Sequence, residues 1–243
     1  MTHNDKEIDA EELFELINSI SKFVEIKINF YALGGTALTI LNIKKSTRDI
    51  DINIESRKEY NYICKIFEEL DFQRQGIRWL SQEGLAFDMF YGSNIMGTEL
   101  LENSISKSRF IKSFGKIKLH TLPLEDIIIS KLARGDSRDF DDIKRILETN
   151  KININNLVRR YKETMKNSIV ANYQQKILDL VEIKFNEWNF NSDKKIMKIR
   201  HNCCTRALKG GVSKATIIQK TNFVIPKIST WRSGYYFETF WRF

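Results

Sequence analysis

Two aspartates one residue apart, Asp49 and Asp51, and a glycine pair upstream, Gly34-Gly35, are the positions in this sequence best suited to chemistry. They lie in Leu33-Gly34-Gly35-Thr36-Ala37 and Thr47-Arg48-Asp49-Ile50-Asp51-Ile52-Asn53. Residues two apart on a strand share a face, so Asp49, Asp51 and Asn53 point one way and Ile50, Ile52 and Ile54 the other. Neighbouring carboxylates repel unless a cation lies between them. Hard oxygen ligands select Mg²⁺, and aspartates spaced this way hold one or two ions that also take substrate phosphate oxygens. Gly34 and Gly35, without Cβ atoms, let backbone N–H groups approach a phosphate, and a helix beginning near Thr36 would turn its positive end toward it. The Thr36 hydroxyl would add a further hydrogen bond. A third acid, Asp88, sits in the apolar run Ala86-Phe87-Asp88-Met89-Phe90. Such a carboxylate is costly unless paired or metal-bound. Beside Asp49 and Asp51 it would complete a metal site or act as base on an acceptor hydroxyl. Taken singly, a Gly-Gly is usually a turn, an Asp-x-Asp a solvated strand face, and Asp88 a satisfied core acid. Their order and spacing together favour a site.

The elements that must position these residues read as follows. Asp9 caps a helix from Ala10 to Phe23, with Leu13, Phe14, Leu16, Ile17 and Ile20 at helical spacing. Ile28–Leu33 is a buried strand, Thr36–Ile43 a short helix, and Asp49–Ile54 a strand with one covered face. Lys58–Leu70 is a helix with Tyr62, Ile66 and Leu70 on one side. Leu85–Tyr91 and Lys116–His120 are strands. From Pro123 the pattern becomes helical: through Arg134, then Arg138–Leu147, Asn155–Met165 and Ile169–Trp188. The expected fold is α/β (α+β), a mixed sheet flanked by helices and followed by a C-terminal helical bundle. Its expected divisions are a core at 1–120, a helical domain at 121–200 and a tail at 201–243.

Gly-Gly-Thr, then Asp-x-Asp on the next strand, then a lone Asp on a later one resembles the polymerase-beta-like nucleotidyltransferase superfamily. Leu122-Pro123-Leu124-Glu125-Asp126-Ile127-Ile128-Ile129-Ser130-Lys131-Leu132-Ala133-Arg134-Gly135, then Arg138-Asp139-Phe140-Asp141-Asp142-Ile143, is similar to its AbiEii-type branch, the toxin partners of abortive-infection toxin–antitoxin pairs. The resemblance covers about residues 25–150. It implies that Gly34, Gly35 and Thr36 bind the phosphates of an NTP and that Asp49, Asp51 and Asp88 hold Mg²⁺. It further implies that Lys131 contacts the triphosphate and that Asp139 lies beside the site. Lys131 offers a compact cation for phosphate, with Arg134 on the same helix face. A plain reading makes Lys131 an exposed lysine and Asp139 a first-turn acid favoured by the helix dipole. Arg48 would steady a metal ligand or the nucleotide. Relatives of this kind imply an RNA, tRNA or protein acceptor and an antitoxin partner.

Composition narrows the alternatives. The chain has 243 residues and a net charge of +8. Residues 201–243 carry seven basic residues against the single acid Glu238, so the basic excess belongs mainly to this tail, which is also rich in aromatics. Cys64, Cys203 and Cys204 form neither a disulfide framework nor a zinc pattern, and the polar start lacks the pattern of a secretory signal; both fit a cytoplasmic setting without a membrane span. No P-loop, dinucleotide fingerprint or Ser/His/Asp pattern competes. Two other readings stay open: a small-molecule transferase of the aminoglycoside-modifying kind, marked by an acidic cleft, and a non-catalytic NTP-binding protein of the same fold.

Overall fold

Asp9 accepts hydrogen bonds from the N–H groups of Glu11 and Glu12 while the Glu12 side chain returns to the Asp9 N–H, and this capping box starts α1 (Ala10–Ser21). The computed structural model describes residues 7–95, 98–168 and Lys176, all within one compact unit, Met1–Ser192. The chain continues through β1 (Ile28–Ala32), α2 (Gly34–Ile40), β2 (Asp49–Ile54), α3 (Arg57–Glu69), β3 (Gln73–Gln75), β4 (Arg78–Leu80) and β5 (Ala86–Tyr91). Then come β6 (Asn94–Ile95), β7 (Thr98–Glu99), α4 (Asn103–Ser106), β8 (Arg109–Phe114) and β9 (Ile117–Thr121), followed by α5 (Leu124–Arg134), α6 (Ser137–Thr149) and α7 (Ile154–Asn167). The expected helix over Ile169–Trp188 and the tail at 201–243 lie outside the described residues.

Among the described residues the main sheet has the strand order β3-β4-β5-β2-β1-β9-β8, with β6 and β7 a separate pair. It is mixed: β2 runs antiparallel to β1 but parallel to β5, and β1 runs parallel to β9. One face of the sheet carries Ile50, Ile52, Phe30 and Phe87, all essentially inaccessible to solvent. Phe67 of α3 packs edge-on against Phe87 and Trp79 there, and Phe14 of α1 meets Phe114. Hydrophobic burial of this kind is the main stabilising term of the fold.

Three expectations are corrected. β2 is covered on both faces, because Asp51 and Asn53 are themselves buried, Asp51 against Gly34 of α2. The buried stripe of α3 is Tyr60, Ile63, Cys64, Ile66 and Phe67; Tyr62 instead uses its hydroxyl to accept from the Glu25 N–H. α2 begins at Gly34, so the glycine pair forms its first turn rather than a loop before it. Among the described residues, no helix is long and apolar enough to cross a membrane.

Candidate active site

The central strand β2 brings Asp49 and Asp51 to one face, and β5 lies parallel beside it with Asp88 directly opposite Asp51. Paired residues on adjacent strands share a face, so all three carboxylates lie on the same side of the sheet. They line a cleft of about 670 Å³, walled also by Gly35, Lys44, Arg48, Arg78 and residues of α5 and α6 that include Lys131, Arg134, Asp139 and Asp142. Eight carboxylates and seven cationic side chains line it, a near balance.

Asp51 is the buried member, 7% exposed. Burial above all, then the charges of Asp88 and Asp49, push its carboxyl up to about 7, with Arg134 and Lys131 opposing. Its seat depends on Gly34, whose φ of +56° is costly for other residues and whose missing Cβ leaves the space that the Asp51 carboxylate occupies. The Leu33 N–H bonds the Asp51 carbonyl at 3.2 Å, pinning the end of β1 to the strand that bears the acids.

The other expected residues divide. Gly35 lines the cleft, whereas Gly34 is buried beneath Asp51. Thr36 is fully buried and its hydroxyl is already committed, donating to the Asp49 carbonyl at 3.1 Å and accepting from the Asp51 N–H at 2.8 Å. It bolts α2 to β2 and does not line the cleft. Arg48 stands exposed at the cleft, 3.4 Å from Glu7.

Lys131 is neither a free phosphate cation nor a plain exposed lysine. It is 3% exposed, with Nζ 2.7 Å from Asp142 Oδ2 and 3.3 Å from Asp139 Oδ1. Asp139 also receives the Arg134 guanidinium as a fork, Nε to Oδ2 at 2.7 Å and Nη2 to Oδ1 at 2.5 Å. Burial raises the Asp139 carboxyl, but the Arg134 hydrogen bond and the Lys131 charge prevail and hold it below the usual range. The same side chain accepts from the Asp136 N–H as part of the capping box of α6. Asp139 therefore serves the helix start and the site wall together.

Arg78 is the residue that the sequence reading missed. Its guanidinium donates to both Asp88 oxygens at 2.7 Å and lies 3.2 Å from Asp49 Oδ1. The hydrogen bonds to Asp88 lead in holding it more firmly protonated than an ordinary arginine. Gly76 between short runs, Gln73-Arg74-Gln75 and Arg78-Trp79-Leu80, is the hairpin signal that could have placed it opposite Asp88. Among the described residues, no three His, Cys, Asp or Glu side chains stand close enough as placed to hold a metal ion.

A family described as nucleotidyltransferase of unknown function (DUF6036) matches residues 11–195. No curated protein matches the sequence significantly. Among solved structures, TM1012 from Thermotoga maritima is 18% identical over 61% of this chain and 100% of its own, with a TM-score of 0.38. JHP933 from Helicobacter pylori is 16% identical over 82% of this chain and 96% of its own, with a TM-score of 0.41.

Proposed function

This chain belongs to the nucleotidyltransferase family of unknown function DUF6036, and we propose that it moves a nucleoside monophosphate from an NTP onto an acceptor hydroxyl, with Asp49, Asp51 and Asp88 holding Mg²⁺. The observation that carries this reading is the direct pairing of Asp51 with Asp88 on adjacent parallel strands, with Asp49 on the same face of the cleft. The donor set suits the ion: all ligands are hard oxygens. Burial first, and then the neighbouring charges of Asp88 and Asp49, raise Asp51 to about 7, and a divalent cation would relieve the repulsion among the three acids. When bound, Mg²⁺ supplies neutralisation of phosphoryl charge.

The chain's own residues do the rest. Gly35 lines the cleft and would offer its backbone to phosphate oxygens, while the space its missing Cβ leaves is taken by the Thr47 hydroxyl. Lys44 and Arg134 turn cationic heads into the same cleft. Lys131 acts one step back: it fixes Asp139 and Asp142, and Asp139 in turn orients the Arg134 fork. The acceptor oxygen attacks the α-phosphorus in line and pyrophosphate leaves. Catalysis rests on positioning and charge, without a covalent intermediate.

An RNA acceptor, tRNA included, is supported over a cationic small molecule. The cleft itself is nearly balanced in charge, so the preference rests on the surface outside it. The β8–β9 hairpin adds an acid-free surface: no Asp or Glu occurs between Glu102 and Glu125, and Lys107, Arg109, Lys112, Lys116 and Lys118 are all exposed there. The likeness of residues 122–143 to AbiEii-type toxins extends the reading to a toxin held in check by an antitoxin protein.

The test is incubation of the purified protein with each labelled NTP, Mg²⁺ and total RNA. Label should pass to RNA with wild type and not with Asp51→Ala, whose fold is checked by circular dichroism. Wild-type turnover by Asp51→Ala would remove the mechanism. Label passing to protein, or to an aminoglycoside alone, would replace the acceptor. Expression in a bacterial host should slow growth with wild type and not with Asp51→Ala.

A further inference from the structure

Lys131 is shut in between two carboxylates at 3% exposure, and Arg134, itself 43% exposed, forks onto the buried Asp139. Arg78 differs in its place rather than in its exposure. Its side chain is 38% exposed, it lies on the three-residue β4, and the β3–β4 hairpin that carries it is an edge of the sheet. Arg78 is paired in register with Asp88 and bridges from there to Asp49, which is 45% exposed. One guanidinium thus sits across two of the three acids proposed to hold a metal.

A simpler reading is a cross-strand ion pair that stabilises a short hairpin. It accounts for Arg78 with Asp88. It does not account for the additional reach to Asp49 on the next strand, nor for the opening of the guanidinium onto the cleft. A guanidinium fork matches a carboxylate and a phosphate equally well, so an arriving triphosphate offers Arg78 a replacement partner of the same geometry.

We infer that Arg78 is a gating counter-cation: it neutralises Asp49 and Asp88 before nucleotide arrives and passes to the triphosphate when an NTP enters, so that divalent-cation binding at the acids follows nucleotide binding. The inference rests on the metal-site reading of Asp49, Asp51 and Asp88 given above. Arg78 is a positioning residue for the metal and a binding residue for the nucleotide. In the resting protein it competes with the cation for the same oxygens.

The experiment measures Mn²⁺ affinity of the full chain by electron paramagnetic resonance without nucleotide, for wild type, Arg78→Gln and Arg78→Lys. Removal of a competing charge should tighten Mn²⁺ binding about tenfold in Arg78→Gln. Arg78→Lys, which keeps the charge but loses the fork, should fall between the two. NTP affinity should weaken in Arg78→Gln, read by displacement of a fluorescent NTP. Unchanged or weaker Mn²⁺ binding in a folded Arg78→Gln would overturn the gate. If Arg78→Gln does not fold, Arg78→Lys alone decides, and affinity equal to wild type overturns it. Absence of Mn²⁺ binding in every variant sinks the metal site and the gate together. Tighter Mn²⁺ binding by Arg78→Gln in a protein that transfers no nucleotide supports the gate and sinks only the transferase reading.

Discussion

Asp51 gives the molecule an unusual response to pH. Its folded-state carboxyl is raised to about 7, above the ordinary aspartate value that it regains on unfolding. The folded state therefore holds the proton more tightly, and this group's contribution to stability declines as pH climbs from about 4 to about 7, by on the order of 4 kcal/mol. Without divalent cation, the urea midpoint of wild type should drop across that window relative to Asp51→Asn, which isolates the group from Asp139 and His120. Added Mg²⁺ should flatten the difference, because it favours the ionised form. Equal pH profiles for wild type and Asp51→Asn would contradict the assignment. Gly34 is tied to the same carboxylate. Gly34→Ala meets a left-handed backbone, costing ~1–2 kcal/mol, and also collides with Asp51. It should lower the melting temperature and weaken Mn²⁺ binding together. Loss of stability with unchanged Mn²⁺ affinity would separate the glycine from the site.

The helices after the sheet bury ion pairs as well as apolar side chains. Arg160 of α7 is 1% exposed; its Nε and Nη2 reach the Asp126 carboxylate of α5, and Nη1 and Nη2 reach Asn103 and Ser104 of α4. Burial pushes the Asp126 carboxyl up, and the Arg160 hydrogen bonds oppose it. Arg160→Ala leaves that carboxylate uncompensated and should cost ~3–5 kcal/mol in urea unfolding. Asp126→Asn placed on top should recover part of the loss; no recovery would mean that packing, not charge, dominates. Such pairs also mark the limit of what the sequence discloses. The helices and the strands bearing Asp49, Asp51 and Asp88 were legible because alternation and helical spacing are local patterns. Nothing local in the sequence marks Arg160 and Asp126, which lie far apart along the chain, as partners. β3 and β4 are too short for a period, so Arg78 escaped notice until pairing set it opposite Asp88. Thr36 and Lys131 stand out in the sequence as polar residues beside the glycine pair and on the helix after Pro123, but their burial, which depends on tertiary contacts, is not legible there.

Over the entire chain, the family match ends at residue 195, before the basic, aromatic-rich segment 201–243. Deleting that segment should leave transfer to a short model acceptor within about twofold of wild type and steepen the requirement for low salt on long RNA, since seven basic residues are lost. Abolished transfer to the short acceptor would show that the segment serves the chemistry. A last expectation concerns amide exchange. The acids of β2 occupy the fourth of seven strands, whereas Arg78 belongs to a hairpin at one edge. Deuterium should enter Gln73–Leu80 long before Ile50–Asn53, which should exchange only through global unfolding. Uniform exchange across the sheet would deny the contrast. If the proposed gate operates, the guanidinium would leave by fraying of this margin, hinged on the buried Trp79, while the carboxylates of the central strands keep their alignment.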